Sequence, residues 1–255
     1  MAVTPSLRAF VVDVRDYRET SALVRLLVEG EGLVSLVGRG VRSARKGGGA
    51  HPVQPFALVQ VVYSMRGADG LGSLRSAESE RQYGVLRNDV ESYGLAAAWF
   101  EAMLAAAQPG AEGALLFALT EGFMDRLDRV GGIHDAGVLW HWARLLECLG
   151  VGAHFASCGR CGKPGPSHHF DVRRAESLCD ACADARRRYL PMADAETRAL
   201  GPVFRADPPD AERAPLARAA LRLFLRIVRE VLRAHLDLEL KSFRFLGRVM
   251  DQAGG

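Results

Sequence analysis

Two short cysteine pairs constrain this chain more than any other feature. Cys158-Gly159-Arg160-Cys161 is followed, after seventeen residues, by Cys179-Asp180-Ala181-Cys182, and two C-x-x-C turns at this separation are the pattern of a four-cysteine zinc site. Each pair puts two thiolates on one tight turn, and two facing turns supply the tetrahedral sulfur shell of a structural zinc ion. Gly159 and Gly162 ease the first turn, and Lys163-Pro164-Gly165-Pro166 stops any helix from running through it. Four thiolates leave zinc no open position for water, so the spacing predicts a structural metal held by Cys158, Cys161, Cys179 and Cys182. The competing patterns are a disulfide pair and a redox C-x-x-C; the latter occurs singly, at a helix start, whereas here two pairs lie in a Gly- and Pro-rich segment. His154, His168 and His169 read as polar surface residues outside the sulfur set, and Cys148 as a small apolar residue of a helix.

At 255 residues the chain holds two modest domains of ordinary globular composition. No apolar run approaches a membrane span and the N-terminus lacks the layout of a secretory signal, which with reduced cysteines predicts a cytoplasmic protein. The net charge of +3 names no partner, but its distribution is uneven. Residues 1–82 carry eleven bases against eight acids, residues 83–157 four against nine, residues 158–188 seven against four, and residues 189–255 eleven against nine. Only Lys46, Lys163 and Lys241 are lysines, so the count of arginines by itself says nothing about nucleic acid.

Residues 1–82 read as β-structure. Leu7–Val14, Ala22–Val28, Leu33–Val37, Phe56–Tyr63 and Leu71–Ala77 are short Val- and Leu-rich runs separated by Gly, Asp, Glu and Pro, with Glu29-Gly30-Glu31-Gly32 as a hairpin. Five short strands predict a small closed barrel, because closure removes exposed edges. An OB-type barrel leads and an SH3-like barrel is the rival. Between the third and fourth strands, Arg39, Arg42, Arg45 and Lys46 place four positive charges within eight residues of a glycine-rich connection with no acid among them. Such a segment follows a phosphate backbone by charge neutralisation, or else is a solvated loop. Tyr17, flanked by Arg15 and Arg18, is the one aromatic suited to stacking on a base; Phe10, Phe56 and Tyr63 read as core.

Residues 83–157 read as helices: Val85–Gln108, Ala111–Val130 and Asp135–Leu149, with Trp99, Trp140 and Trp142 as core anchors. Beyond the cysteines, a short helix is expected at Asp194–Leu200 and a long one from Pro215 to Leu236. On the latter Arg218, Arg222, Arg226, Arg229 and Arg233 recur at helical spacing and form one stripe, which is either a solvated face or a second contact for phosphates or an acidic peptide. The fold expected is therefore α+β: an N-terminal five-stranded β-barrel domain (1–82), then an α-helical domain (83–255) with an inserted four-cysteine zinc module at about 155–188.

This order of features resembles the bacterial recombination mediator family RecO. The matching residues span nearly the whole chain: Ala9-Phe10-Val11-Val12, Tyr17-Arg18-Glu19-Thr20-Ser21, Gly32 through Arg42, Gln54-Pro55-Phe56-Ala57-Leu58-Val59, the two cysteine pairs, and Lys241-Ser242 followed by Phe245-Leu246. The resemblance implies an OB-fold followed by helices and a protein of DNA repair and homologous recombination, associated with the nucleoid. Such a protein binds ssDNA and dsDNA, anneals complementary strands, contacts the C-terminal tail of the single-strand-binding protein SSB, and with RecR helps load RecA. It implies no covalent catalysis, and the chain carries no P-loop or catalytic carboxylate pair. By position it assigns DNA contact to Arg39 and Arg42, extended to Arg45 and Lys46. Because residues 83–157 are acidic, positive charge for an SSB tail would have to come from the Arg218–Arg233 stripe or a pocket between helices. A zinc-ribbon scaffold for RNA or a protein assembly, and a redox-active dithiol enzyme, are the alternatives.

Overall fold

The computed structural model describes residues 6–17, 19–39, 52–65, 71–106, 113–155, 157–165, 167–204 and 216–252. Arg18, Arg42, Arg45, Lys46 and Pro215 lie outside the described residues. The chain divides into two compact units, Met1–Gly84 with Ala107–Glu121, and Val85–Ala106 with Gly122–Gly255.

In the first unit the Val- and Leu-rich runs become β1 (Leu7–Tyr17), β2 (Ser21–Val28), β3 (Gly32–Gly38), β4 (Leu58–Ser64) and β5 (Gly72–Arg81). They close a barrel in the order β1-β2-β3-β5-β4. Among the described strands of the barrel only β3 and β5 run parallel, with Leu36 opposite Gly72 and Gly38 opposite Leu74, and this order resolves the choice in favour of the OB barrel. Alternation along the strands points Ala9, Val11, Val24, Leu26, Leu36, Val59, Val61 and Tyr63 into one core. A bulge between Val11 and Asp13 kinks β1. The β2–β3 turn needs positive φ at Gly30 (78°) and Gly32 (81°), where glycine carries no steric penalty. Phe56, expected to begin β4, instead sits in the turn before it at φ 72° and is half-buried. Its amide donates to Val11 O at 2.7 Å, so the chain turns to meet the β1 bulge before the strand begins.

Phe10 points out of the barrel yet is fully buried. Phe117 covers it at a centroid distance of 5.4 Å, and Tyr83 stacks at 6.3 Å. Arg8, two residues earlier on the same face, bonds the Glu121 carboxylate, pairs with Glu80 at 2.9 Å and lies over the Phe117 ring. Hydrogen bonding to Glu121 and Glu80 raises the Arg8 pKa, so the guanidinium stays charged.

The second unit carries α1 (Val85–Asn88), α2 (Val90–Ala106), the second half of α3 (Gly113–Val130), α4 (Ala136–Cys148), α5 (Asp194–Leu200), α6 (Arg218–Leu236) and α7 (Lys241–Gln252). The run expected as one helix from Val85 breaks at Asp89, whose carboxylate accepts from the amides of Glu91 and Ser92 and starts α2 afresh. Trp99 stacks on Phe123 at 4.2 Å and meets the edge of Trp142 at 5.4 Å, and all three are fully buried. Trp140 is not a core anchor: it is half-buried, with the Arg144 guanidinium 5.5 Å from its ring. Helix α7, not anticipated from the sequence, lies on α2, and the Glu101 carboxylate of α2 accepts from the Lys241 and Ser242 amides at 2.8 and 2.9 Å. That contact satisfies donors a helix N-terminus otherwise leaves unpaired.

Candidate metal centre and basic surfaces

Both cysteine pairs sit on tight turns. Gly162 N donates to Cys158 O at 2.8 Å, with Gly162 at φ 70°, and Cys182 N donates to Cys179 O at 3.0 Å. Between them β6 (His169–Asp171) and β7 (Glu176–Leu178) form an antiparallel hairpin that returns the second turn to the first, and β8 (Leu190–Pro191) extends the sheet beyond β6. Gly159 N donates to Ser177 O, and a side chain at 159 would collide with Glu176.

The four sulfurs meet there, every pair of Sγ atoms within 4.8 Å. Cys161 and Cys179 are 3.9 Å apart, against about 3.8 Å for the edge of a tetrahedron with zinc–sulfur bonds of about 2.3 Å. Burial pushes the Cys158 thiol up, but hydrogen bonds from backbone amides at 179, 161 and 160 outweigh it and bring it down to about 6. Hydrogen bonding with Cys161 and Cys179 pushes Cys182 up to about 12. A cation bound by all four sulfurs would hold them as thiolates and release their protons. The donor set therefore suits a metal ion that accepts four sulfurs.

The neighbouring histidines stay outside the sulfur set. His168 Nδ1 faces Asp180 at 2.9 Å and Nε2 faces Asp194 at 2.6 Å, while His169 Nε2 faces Asp180 at 3.1 Å. The ring of His168 ties the second cysteine turn to the first turn of α5. His154 forms an isolated bridge to Glu176, and Cys148 lies on α4, apart from the cluster.

On the barrel, the ladder sets Asp16 opposite Ala22 and Ala22 opposite Gly38. The end of β1, bearing Arg15 and Tyr17, and the end of β3, followed at once by Arg39, therefore leave the barrel at one edge. Arg39 is exposed, Tyr17 half-buried, and Arg15 is 63% exposed while paired with Asp13 at 2.6 Å.

The arginine stripe does occupy the exposed side of α6, opposite buried Leu221, Phe224, Val228 and Val231. Its members have different partners. Arg218 pairs with Glu91 at 2.8 Å and, with Arg222, donates to Met250 O near the end of α7. Two cations at a helix C-terminus satisfy a carbonyl and oppose the negative end of the dipole. Arg229 and Arg233 both reach Glu230, at 3.0 and 3.2 Å. Arg226 has no carboxylate partner among the described residues.

Similarity to known proteins agrees with this anatomy. The family described as Recombination protein O, C terminal, matches residues 87–244, and Recombination protein O, N terminal, matches residues 1–83. The chain belongs to the RecO family. Among curated RecO relatives, a DNA repair protein RecO from Anaeromyxobacter sp. (strain K) is 31% identical over 250 residues, 95% of this chain and 96% of that one. Its namesake from Geobacter sulfurreducens is 32% identical over 194 residues, 74% and 75% of the two chains. One from Streptomyces avermitilis is 31% identical over 173 residues, 64% and 68%. Among the described residues no helix is long and apolar enough to cross a membrane.

Proposed function

We propose that this RecO-family chain is a DNA repair and recombination mediator that binds ssDNA and dsDNA, anneals complementary strands coated with SSB, and with RecR helps load RecA onto them. It acts in the cytoplasm, at the nucleoid, without covalent catalysis. The observation that carries this is the family match across both halves of the chain. The geometry supports it, because the loops between strands 1 and 2 and the face of strands 2 and 3 are where OB barrels take oligonucleotides. Here that edge bears Tyr17 and Arg39 and is flanked in sequence by Arg18, Arg42, Arg45 and Lys46. Binding there is electrostatic and indifferent to base sequence, with Tyr17 the stacking residue.

Zinc is the metal we assign to Cys158, Cys161, Cys179 and Cys182. When bound it supplies no reaction chemistry, because four sulfurs fill its coordination, and it contributes local folding energy. The residues around it position a hairpin and orient Asp180.

The test is annealing of complementary oligonucleotides already coated with the cognate SSB. Acceleration at sub-stoichiometric protein is expected. Acceleration of bare strands only would remove the SSB contact from the proposal, and no acceleration of either would overturn it in favour of a zinc-ribbon scaffold.

A further inference from the structure

The second unit contains a concavity of about 790 Å³ between α6 and the zinc module. Arg226 and Arg233 line it from α6, and Arg173, Arg186, Arg187 and Arg188 from the module. Asp171 and Glu230 are the acids in the lining, so six guanidiniums face two carboxylates. Arg187 lies 4.0 Å from Asp171 and Arg233 3.2 Å from Glu230. The guanidiniums of Arg173, Arg186, Arg188 and Arg226 have no carboxylate partner among the described residues, and all four residues are exposed. Val172, Leu190, Ala234 and the ring of Tyr189 complete the lining.

Like charges gathered in one concave surface repel one another and raise the local concentration of anions. Arginine forks match phosphate oxygens two at a time. Four unpartnered forks spread over α6 and two loops call for a ligand that repeats its charge along a chain. We propose that this concavity binds the phosphodiester backbone of a single nucleic-acid strand. The inference rests on the proposed DNA-binding function and adds a site on the helical unit. A second basic site adds phosphate contacts to those proposed for the barrel edge.

The metal centre builds one wall of this site. Arg186 lies four residues after Cys182. The segment is knitted by Arg186 N to the Asp184 carboxylate at 2.9 Å, Arg187 N to Asp184 O at 2.9 Å, and Asp184 N to the Tyr189 hydroxyl at 3.2 Å. Arg160 on the first cysteine turn also donates to Cys182 O at 3.1 Å. Loss of metal therefore loosens Arg186, Arg187 and Arg188 while leaving the barrel edge as it was.

The experiment compares the full-length, metal-loaded protein with its Arg186→Ser/Arg226→Ser variant, using fluorescein-labelled oligothymidylate across a salt series. Both residues are exposed, and zinc content and circular dichroism check the fold. With two phosphates no longer neutralised, the slope of log affinity against log salt becomes shallower by about 1.4, at about 0.7 per phosphate. Chelation of the metal from the unsubstituted protein shifts the slope in the same direction. A variant with the unsubstituted slope and affinity overturns the proposal while leaving DNA binding by the barrel in place. Failure of the unsubstituted protein to bind oligothymidylate overturns the DNA-binding function itself, and this site with it. A variant that loses affinity for a polyglutamate peptide but keeps its DNA slope overturns the proposal in favour of an acidic-peptide site.

Discussion

The Sγ atoms of Cys161 and Cys179 stand 3.9 Å apart although seventeen residues separate them in sequence. Thiols brought so close without a disulfide make each sulfur's environment depend on the others. We therefore expect Cys179→Ser to abolish stoichiometric zinc and to melt the module, while the barrel keeps its strand signature. Metal analysis and circular dichroism check both halves of this expectation. Retained zinc in the variant would contradict the ligand assignment.

A second expectation concerns Gly113. A Cβ there would lie 2.7 Å from Cα of Gly32 and nearer still to its nitrogen. Neither the helix start nor the hairpin can yield without moving backbone. Gly113→Ala should destabilise the first unit by about 1–3 kcal/mol, the usual cost of overpacking, and lower its thermal midpoint by a few degrees. Gly131→Ala, where space is open but φ is 69°, separates backbone strain from crowding.

His168 sets a pH dependence. Hydrogen bonding to Asp194 first, and then to Asp180, raises its pKa above the ordinary value of 6.5. The folded pKa exceeds the unfolded one, so the bridge's contribution is fully present below 6.5 and is lost as pH rises through the folded value. An NMR titration should place the His168 midpoint above 6.5, and Asp194→Asn should bring it down. A midpoint unmoved by that substitution would remove Asp194 as the partner.

The barrel edge makes its own prediction. Arg42→Glu with Arg45→Glu should weaken single-strand binding and make its salt slope shallower, by about 0.7 for each phosphate that is no longer neutralised. Arg39→Ser should act in the same direction for one phosphate. An unchanged slope in the double variant would exclude this segment as a DNA contact.

The five strands were legible because alternation and turn residues are local signals, whereas the parallel β3–β5 closure was not, since nothing in either run names its partner. The cysteine ligands were legible for the opposite reason: the chemistry constrains spacing tightly enough that few other arrangements compete. Helix α7 is not legible because it buries only Phe243, Leu246 and Met250, too short a pattern to stand out. Arg186-Arg187-Arg188 registered only as excess charge after the last cysteine. Its relation to Arg226 exists only once β6–β8 and α6 fold together. Arg218 and Arg222 show the converse, being legible as a stripe whose role at the end of α7 no periodicity could reveal.

The burial of Phe10 by Phe117 has a consequence for synthesis of the chain. The barrel strands end at Arg81, yet their outer face is not sealed until a residue made 36 positions later is in place. At about 5–20 residues per second on the ribosome, that delay is roughly 2–7 s. Through that interval Phe10 has the Tyr83 ring beside it but lacks the Phe117 ring that completes its cover. A fragment cut at the family boundary after residue 83 would keep Tyr83 but lack Phe117 permanently, and would be expected to clump where the whole chain stays dispersed.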